Sequence, residues 1–143
     1  MPRTYYRYRG SRFLTVASIV EAHDEVISWS GGMPGIKDAG ALESAALRPR
    51  ASAGGQDAYP TFFTKVAAVG FAIAQGHVFS DGNKRTSLAT MLWTLRANSY
   101  RITPSQDAGT TVMVLVATGN LTIEGLRVAL IHWCGLNPGE ASL

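Results

Sequence analysis

Cysteine is almost absent. Cys134 is the only one, so no disulfide can form within the chain, and its neighbours Ile131, Trp133 and Leu136 mark it as a small buried hydrophobe. That usage fits a reducing cytoplasm. Long apolar runs are missing too: no stretch approaches the ~18 apolar residues of a membrane span. Residues 13–20 are apolar but short, contain Thr15 and Ser18, and run straight into Glu21, Asp24 and Glu25, which reads as a helix and not as a signal peptide. Histidine is limited to His23, His77 and His132, too scattered for a zinc site. No strand and no glycine-rich stretch precedes Lys84, which excludes a Walker-type loop. Internal repeats, low-complexity segments and sustained strand alternation are also missing.

What is present suits one globular domain. The chain has 143 residues, 46% of them hydrophobic, enough for one core and too few for two. Thirteen Lys and Arg against ten Asp and Glu give a net charge of +3. Much of that surplus is Arg3, Arg7, Arg9 and Arg12, interleaved with Tyr5, Tyr6 and Tyr8. Such a composition can stack on nucleic acid. We read residues 1–14 instead as a basic, partly ordered leader that covers the domain or recruits an acidic partner, and nucleic acid is not an expected partner.

The remainder reads as six helices. Val16, Ile19, Val20, His23 and Ile27 share one helical face behind an N-cap at Thr15, and paired glycines stop the helix after Ser30. His23 is expected to be a satisfied core histidine, and Trp29 to pack. Asp38 caps a short second helix that Pro49 stops. A small, polar loop over residues 50–59 follows. The third helix, residues 61–76, is apolar nearly all round and therefore central. The fourth runs from about Lys84 to Asn98. Residues 100–103 form an extended connector, Pro104 opens the fifth helix at its first turn, and Thr122 caps the sixth, with Glu124 in its first turn. Residues 15–135 are thus the domain and residues 136–143 a frayed tail.

Between the third and fourth helices lies the densest chemistry in the chain: Gly76, His77, Val78, Phe79, Ser80, Asp81, Gly82, Asn83, Lys84, Arg85 and Thr86. The loop ends where a helix begins, so the N–H groups of residues 83–86 form an anion site suited to phosphate. His77 has the chemistry of a general base at neutral pH. Asp81 can hold a hard cation such as Mg²⁺ shared with phosphate oxygens. Asn83 offers an amide and Lys84 a charge, while Arg85 can grip phosphate bidentately or return to buttress the loop. Gly82 lets the backbone approach a ligand closely.

These residues resemble the signature of the Fic/Doc family, H-x-F-x-[D/E]-[G/A]-N-[G/K]-R. His77, Phe79, Asp81, Gly82, Asn83, Lys84 and Arg85 meet every fixed position. Residues 35–45 with Arg48 and Pro49, and residues 117–122, also resemble blocks of Doc-type members. The resemblance implies an all-α, single-domain Fic-fold bundle. It departs from the Fic adenylyltransferases at two places: Lys84 replaces a glycine, and Leu88 replaces a second arginine. Both changes are those of the Doc branch, in which the γ-phosphate of ATP faces the incoming hydroxyl.

The resemblance therefore implies a toxin kinase using ATP and Mg²⁺, with elongation factor Tu as the protein substrate, a threonine as acceptor and translation halted. It gives His77 the role of base, Asp81 that of Mg²⁺ ligand, and Gly82, Asn83, Lys84 and Arg85 that of phosphate binders. Phe79 anchors the loop in the core. Self-inhibited Fic proteins carry a helix with the pattern S/T-x-x-x-E-G/N; here the only Glu followed by Gly or Asn is Glu124, and Asn120 stands four before it. An antitoxin of the Phd type, acting in trans, is the expected inhibitor. Two alternatives are transfer of AMP to a protein hydroxyl and a regulator that binds phosphate or nucleotide without turnover.

Overall fold

Helix α3, Phe62–Gln75, is the axis of the molecule, and its sequence explains why. Phe63, Val66, Ala67, Ala68, Val69, Gly70, Ile73 and Ala74 point in several directions around the helix and all are buried, which needs neighbours on most sides. The computed structural model, which describes residues 3–102, 104–140 and 142–143, supplies them. The chain also forms α1 (Val16–Ser30), α2 (Ala39–Ala46), α4 (Asn83–Ala97), α5 (Gln106–Ala117) and α6 (Ile123–Trp133). Helix α3 packs against α2, α4, α5 and α6, and α1 packs across α4. Among the described residues this is the expected all-α bundle of six α-helices. No helix among the described residues is long and apolar enough to cross a membrane.

The crossing of α3 and α4 is close because Gly70 has no side chain: a Cβ there would fall inside the Met91 side chain. Ser87 Oγ donates to the Gly70 carbonyl at 2.6 Å across the same crossing. Two apolar clusters flank α3. The larger gathers Phe13, Phe63, Val66, Met91, Leu95, Leu126 and Leu130. The smaller gathers Leu14, Ile19, Leu42, Ile73, Val78 and Phe79, so two residues of the polar loop belong to a core.

The expected basic leader is a β-hairpin, which corrects the reading of these residues as partly ordered. Strands β1 (Tyr5–Tyr8) and β2 (Ser11–Leu14) pair antiparallel with Tyr6 opposite Phe13. Phe13 and Leu14 are buried in the two clusters. The turn is Arg9-Gly10, both at positive φ (52° and 79°), the backbone of a two-residue hairpin turn that usually advertises itself as Asn-Gly or Asp-Gly. Tyr6 Oη donates to Ala46 C=O at 2.6 Å and Tyr8 Oη to Asp57 Oδ1 at 2.7 Å. Met1 and Pro2 lie outside the described residues.

Other differences are local. The loop over residues 50–59 carries a second small hairpin, β3 (Ser52–Ala53) with β4 (Gln56–Asp57). Asp57 within it joins three elements, accepting from Tyr8, Arg9 and the buried Lys65 of α3. Trp29 does not pack: it is 85% exposed at the end of α1, standing at the rim of an open hollow between α1 and α4. Pro104 is outside α5, whose N-cap is Ser105 accepting from Ala108 N–H. In the expected connector over residues 100–103, Thr103 lies outside the described residues, as does Ala141 in the expected frayed tail. Within that tail Pro138 C=O accepts from Arg127 and Leu143 packs partly against the larger cluster. Cys134 is half-buried against the same cluster, and burial raises its thiol pKa.

Candidate functional site

Helix α3 ends at Gly76, whose N–H donates to Ala72 C=O at 2.9 Å. His77 follows with φ 49°, a left-handed backbone that is costly for a residue with a Cβ. This turn leaves the imidazole exposed while Val78 and Phe79 drop into the smaller cluster. Asn83 then locks the descent. Its Oδ1 accepts from Phe79 N–H and its Nδ2 donates to Phe79 C=O, each at 2.9 Å.

The loop is braced from outside by the connection between α1 and α2. Lys37 and Asp38 N–H donate to Val78 C=O at 2.9 and 3.1 Å, Ser80 N–H donates to Gly35 C=O at 3.1 Å, and Ile36 pairs antiparallel with Phe79. Gly32 allows the approach: a Cβ there would stand 2.6 Å from Asp81 Oδ2.

Asp81 is the electrostatic centre. Oδ2 accepts from Met33 N–H at 3.0 Å and Oδ1 from Gly82 N–H at 2.8 Å. Arg85 Nη2 lies 3.7 Å from Oδ1. The Met33 N–H first, then that of Gly82, holds the carboxyl below the usual carboxylate range, with Arg85 and His23 adding attraction against the opposing effect of burial. Asp81 is thus a carboxylate at neutral pH, with 45% of its side chain still open to solvent. Arg85 ties this corner to α1, donating from Nη1 to Ser30 Oγ and, at 2.9 Å, to Gly31 C=O.

Helix α4 begins differently from the others. The N-caps Thr15, Asp38, Thr61, Ser105 and Thr122 each accept a backbone N–H from their helix through a side-chain oxygen. At α4 the cap is Gly82, in the left-handed conformation (φ 77°, ψ 20°), with no side chain to do so. The N–H groups of Asn83, Lys84 and Arg85 therefore have neither an intrahelical nor a side-chain acceptor among the described residues, and the positive end of the helix dipole is uncovered; the Thr86 N–H, expected in the same anion site, instead donates to Gly82 C=O at 2.9 Å. Lys84 stands exposed there, with no ion-pair partner among the described residues. A cavity of about 100 Å³ runs from Lys84 and Arg85 along Leu88 to Gly109, Thr110, Met113 and Val114 of α5. On the other flank of Arg85, a cavity of about 300 Å³ lies between α1 and α4, walled by Trp29, Ala89 and Trp93. Hollows of about 600 Å³ at Arg48 and Arg50 and about 590 Å³ at Arg96 and Arg101 share no residue with the loop.

His77, Asp81, Gly82, Asn83, Lys84 and Arg85 therefore lie on one braced loop and the helix turn that follows it. Asn83 spends its hydrogen bonds on the loop itself and Arg85 on the end of α1, whereas His77 and Lys84 project without side-chain partners among the described residues. Four participants were not singled out from the sequence: Met33 through its N–H, Ser30 and Gly31 as acceptors for Arg85, and His23. The last is buried, as expected, yet its hydrogen bond goes to the loop: Nε2 lies 2.8 Å from Asp81 C=O. The paired glycines at 31 and 32 were the available signal, and they read equally well as a helix stop.

The profile of the Fic/DOC family matches residues 13–95, from the second strand to the end of α4. The chain is similar to "Protein kinase doc" of Escherichia phage P1, with 30% identity over 119 residues, covering 83% of this chain and 93% of that protein. It is also similar to "Toxin Doc" of Mycolicibacterium smegmatis, with 33% identity over 102 residues, covering 70% of this chain and 78% of that one. The chain belongs to the Fic/DOC family.

Proposed function

We propose that this chain is a Doc-type toxin kinase that transfers the γ-phosphate of ATP to a protein hydroxyl, with a threonine of elongation factor Tu as acceptor. The observation that carries the reading is the uncapped start of α4, where N–H groups without acceptors among the described residues, exposed Lys84 and charged Asp81 follow on the same loop as the exposed His77. The two relatives support it by name, one as a kinase and one as a toxin.

The residues fit ATP with Mg²⁺. Among the described residues no group of three or more His, Cys, Asp or Glu could hold a metal, so an all-protein cage is not the expected arrangement. A single half-open carboxylate is what Mg²⁺ uses when phosphate oxygens and water complete its shell. Asp81 would hold the ion, which supplies neutralisation of phosphate charge. Gly82, with its missing Cβ, and the first-turn N–H groups of α4 would cradle phosphate, and Lys84 would add a positive charge. Arg85 and Asn83 keep that surface in place through Gly31 and Phe79. His77 accepts the proton as the target oxygen bonds to the γ-phosphorus; the bond from that phosphorus to the β-bridging oxygen breaks and ADP leaves. Such a site works by positioning and electrostatics, with little covalent chemistry of its own.

We further propose cytoplasmic action on translation and inhibition in trans by an antitoxin of the Phd type. The test is a pair of reactions with ATP labelled at the γ- or at the α-phosphate. Label reaching the target from the γ-position alone supports phosphoryl transfer. Label reaching it from the α-position means AMP transfer and overturns the kinase reading.

A further inference from the structure

The buried histidine of α1 has a place in the site that its sequence position conceals. His23 is 1% exposed, and two contacts account for its ring. It lies flat on Phe79, ring centroids 3.9 Å apart and planes 5° from parallel. Its Nε2 is 2.8 Å from the backbone carbonyl of Asp81. A carbonyl oxygen can only accept, so Nε2 carries a proton and donates. The other nitrogen faces the exposed Asp24 carboxylate at 3.8 Å, beyond hydrogen-bond reach.

The acceptor matters because of its position in the chain. The Asp81 carbonyl belongs to the peptide that leads into Gly82. The orientation of that plane helps set the left-handed conformation of Gly82, and with it the direction of the first N–H groups of α4. The ring also stacks on the residue that Asn83 clamps. One side chain on α1 thus touches the loop at positions 79 and 81, and its Cδ2 lies 3.8 Å from where a Gly82 Cβ would stand. A core histidine could have satisfied itself on its own helix; this one spends its hydrogen bond on the loop.

We propose that His23 is a positioning residue of the phosphate loop, fixing the Asp81–Gly82 peptide so that the α4 amides converge on one point. The kinetic part of its test rests on the kinase reading above; the structural part does not. His23→Phe keeps a flat ring on Phe79 and removes the donor, and His23→Gln keeps a donor N–H and removes the ring.

The measurements are the amide ¹⁵N–¹H shifts and hydrogen exchange of residues 82–86 with and without inorganic phosphate, the melting temperature, and kcat and KM for transfer. For H23F we expect faster exchange at residues 82–86 than in the wild type, unchanged exchange in α5, a near wild-type melting temperature, and a kcat lowered roughly 10²-fold with a smaller change in KM. H23Q should recover most of the kcat and the wild-type response of the amides to phosphate. If H23F folds with wild-type amides and wild-type kcat, the proposal is wrong. If H23F does not fold, H23Q decides: wild-type amide response upholds the donor role, and a folded H23Q with scrambled amides overturns it. A wild-type chain without any transferase activity would defeat the kinase reading, while the amide measurements would still decide the role of His23.

Discussion

Asn83 holds Phe79 by both ends of one residue, its carboxamide accepting the N–H and donating to the C=O at 2.9 Å each. This pairing converts the loop between α3 and α4 into a rigid ledge: Phe79 is sunk in a core, and the same Asn83 is the first residue of α4. Asn83→Ala should lower stability by about 1–3 kcal/mol, two hydrogen bonds' worth, and lower kcat roughly 10²-fold by loosening the loop. Asn83→Asp, which keeps the acceptor alone, should fall between. Denaturant titration and steady-state rates measure both.

Gly82 should be nearly irreplaceable. At φ 77° any L side chain is strained, and a Cβ would sit 3.2 Å from Ile27 Cδ1. Gly82→Ala is expected to cost about 1–3 kcal/mol for the backbone alone, and to disturb the anion site directly. Thermal denaturation gives the first effect, and phosphate binding followed by amide shifts gives the second.

Acid should release the N-terminal hairpin. Hydrogen bonds from Arg9, then Tyr8, then Lys65 hold the Asp57 carboxyl well below the usual carboxylate range. A folded pKa below the unfolded one means that the stabilisation is complete above the ordinary value and is lost as pH falls through it toward the folded value. The wild type should therefore lose more stability between pH 7 and pH 3 than Asp57→Asn does, and Asp57→Asn should be the less stable of the two at pH 7. Denaturation at both pH values checks the sign.

Two aromatic residues separate packing from exposure. Trp29→Ala, at a side chain 85% exposed, should change stability by no more than about 0.5 kcal/mol. Phe79→Ala, which removes a ring stacked on His23 and buried beside Val78, should cost about 3–5 kcal/mol. Equal losses would mean that Trp29 is packed after all.

The helices were legible because their ends are chemically marked: Thr15, Asp38 and Thr122 stand where caps must, while Thr61, read as the first residue of the third helix, is its N-cap. The candidate loop stood out in the sequence because its residues are contiguous. The hairpin was not, since four-residue strands offer too few alternations and Arg9-Gly10 is an uncommon spelling of its turn. Trp29 misled because apolar character says what a residue would gain by burial, not whether a neighbour reaches that far. The contacts of His23 with residues 79 and 81, and of Arg85 with residues 30 and 31, join positions more than fifty apart. Local patterns carry no trace of such pairs. The division of labour between Asn83 and Lys84 was equally hidden, because both residue types can bind phosphate and only geometry shows which one is already occupied.

The most direct measurement is intact and peptide mass spectrometry of elongation factor Tu after incubation with the chain, ATP and Mg²⁺, with His77→Ala as the control. The expected result is an added mass of about 80 Da, one phosphate, on a threonine, formed roughly 10² to 10⁴ times more slowly by His77→Ala, whose exposed ring contributes little to folding. An added mass of about 329 Da would mean AMP transfer, where phosphorylation would have added about 80 Da. An unmodified factor, or a His77→Ala variant as fast as the wild type, would contradict the proposed target or the proposed base.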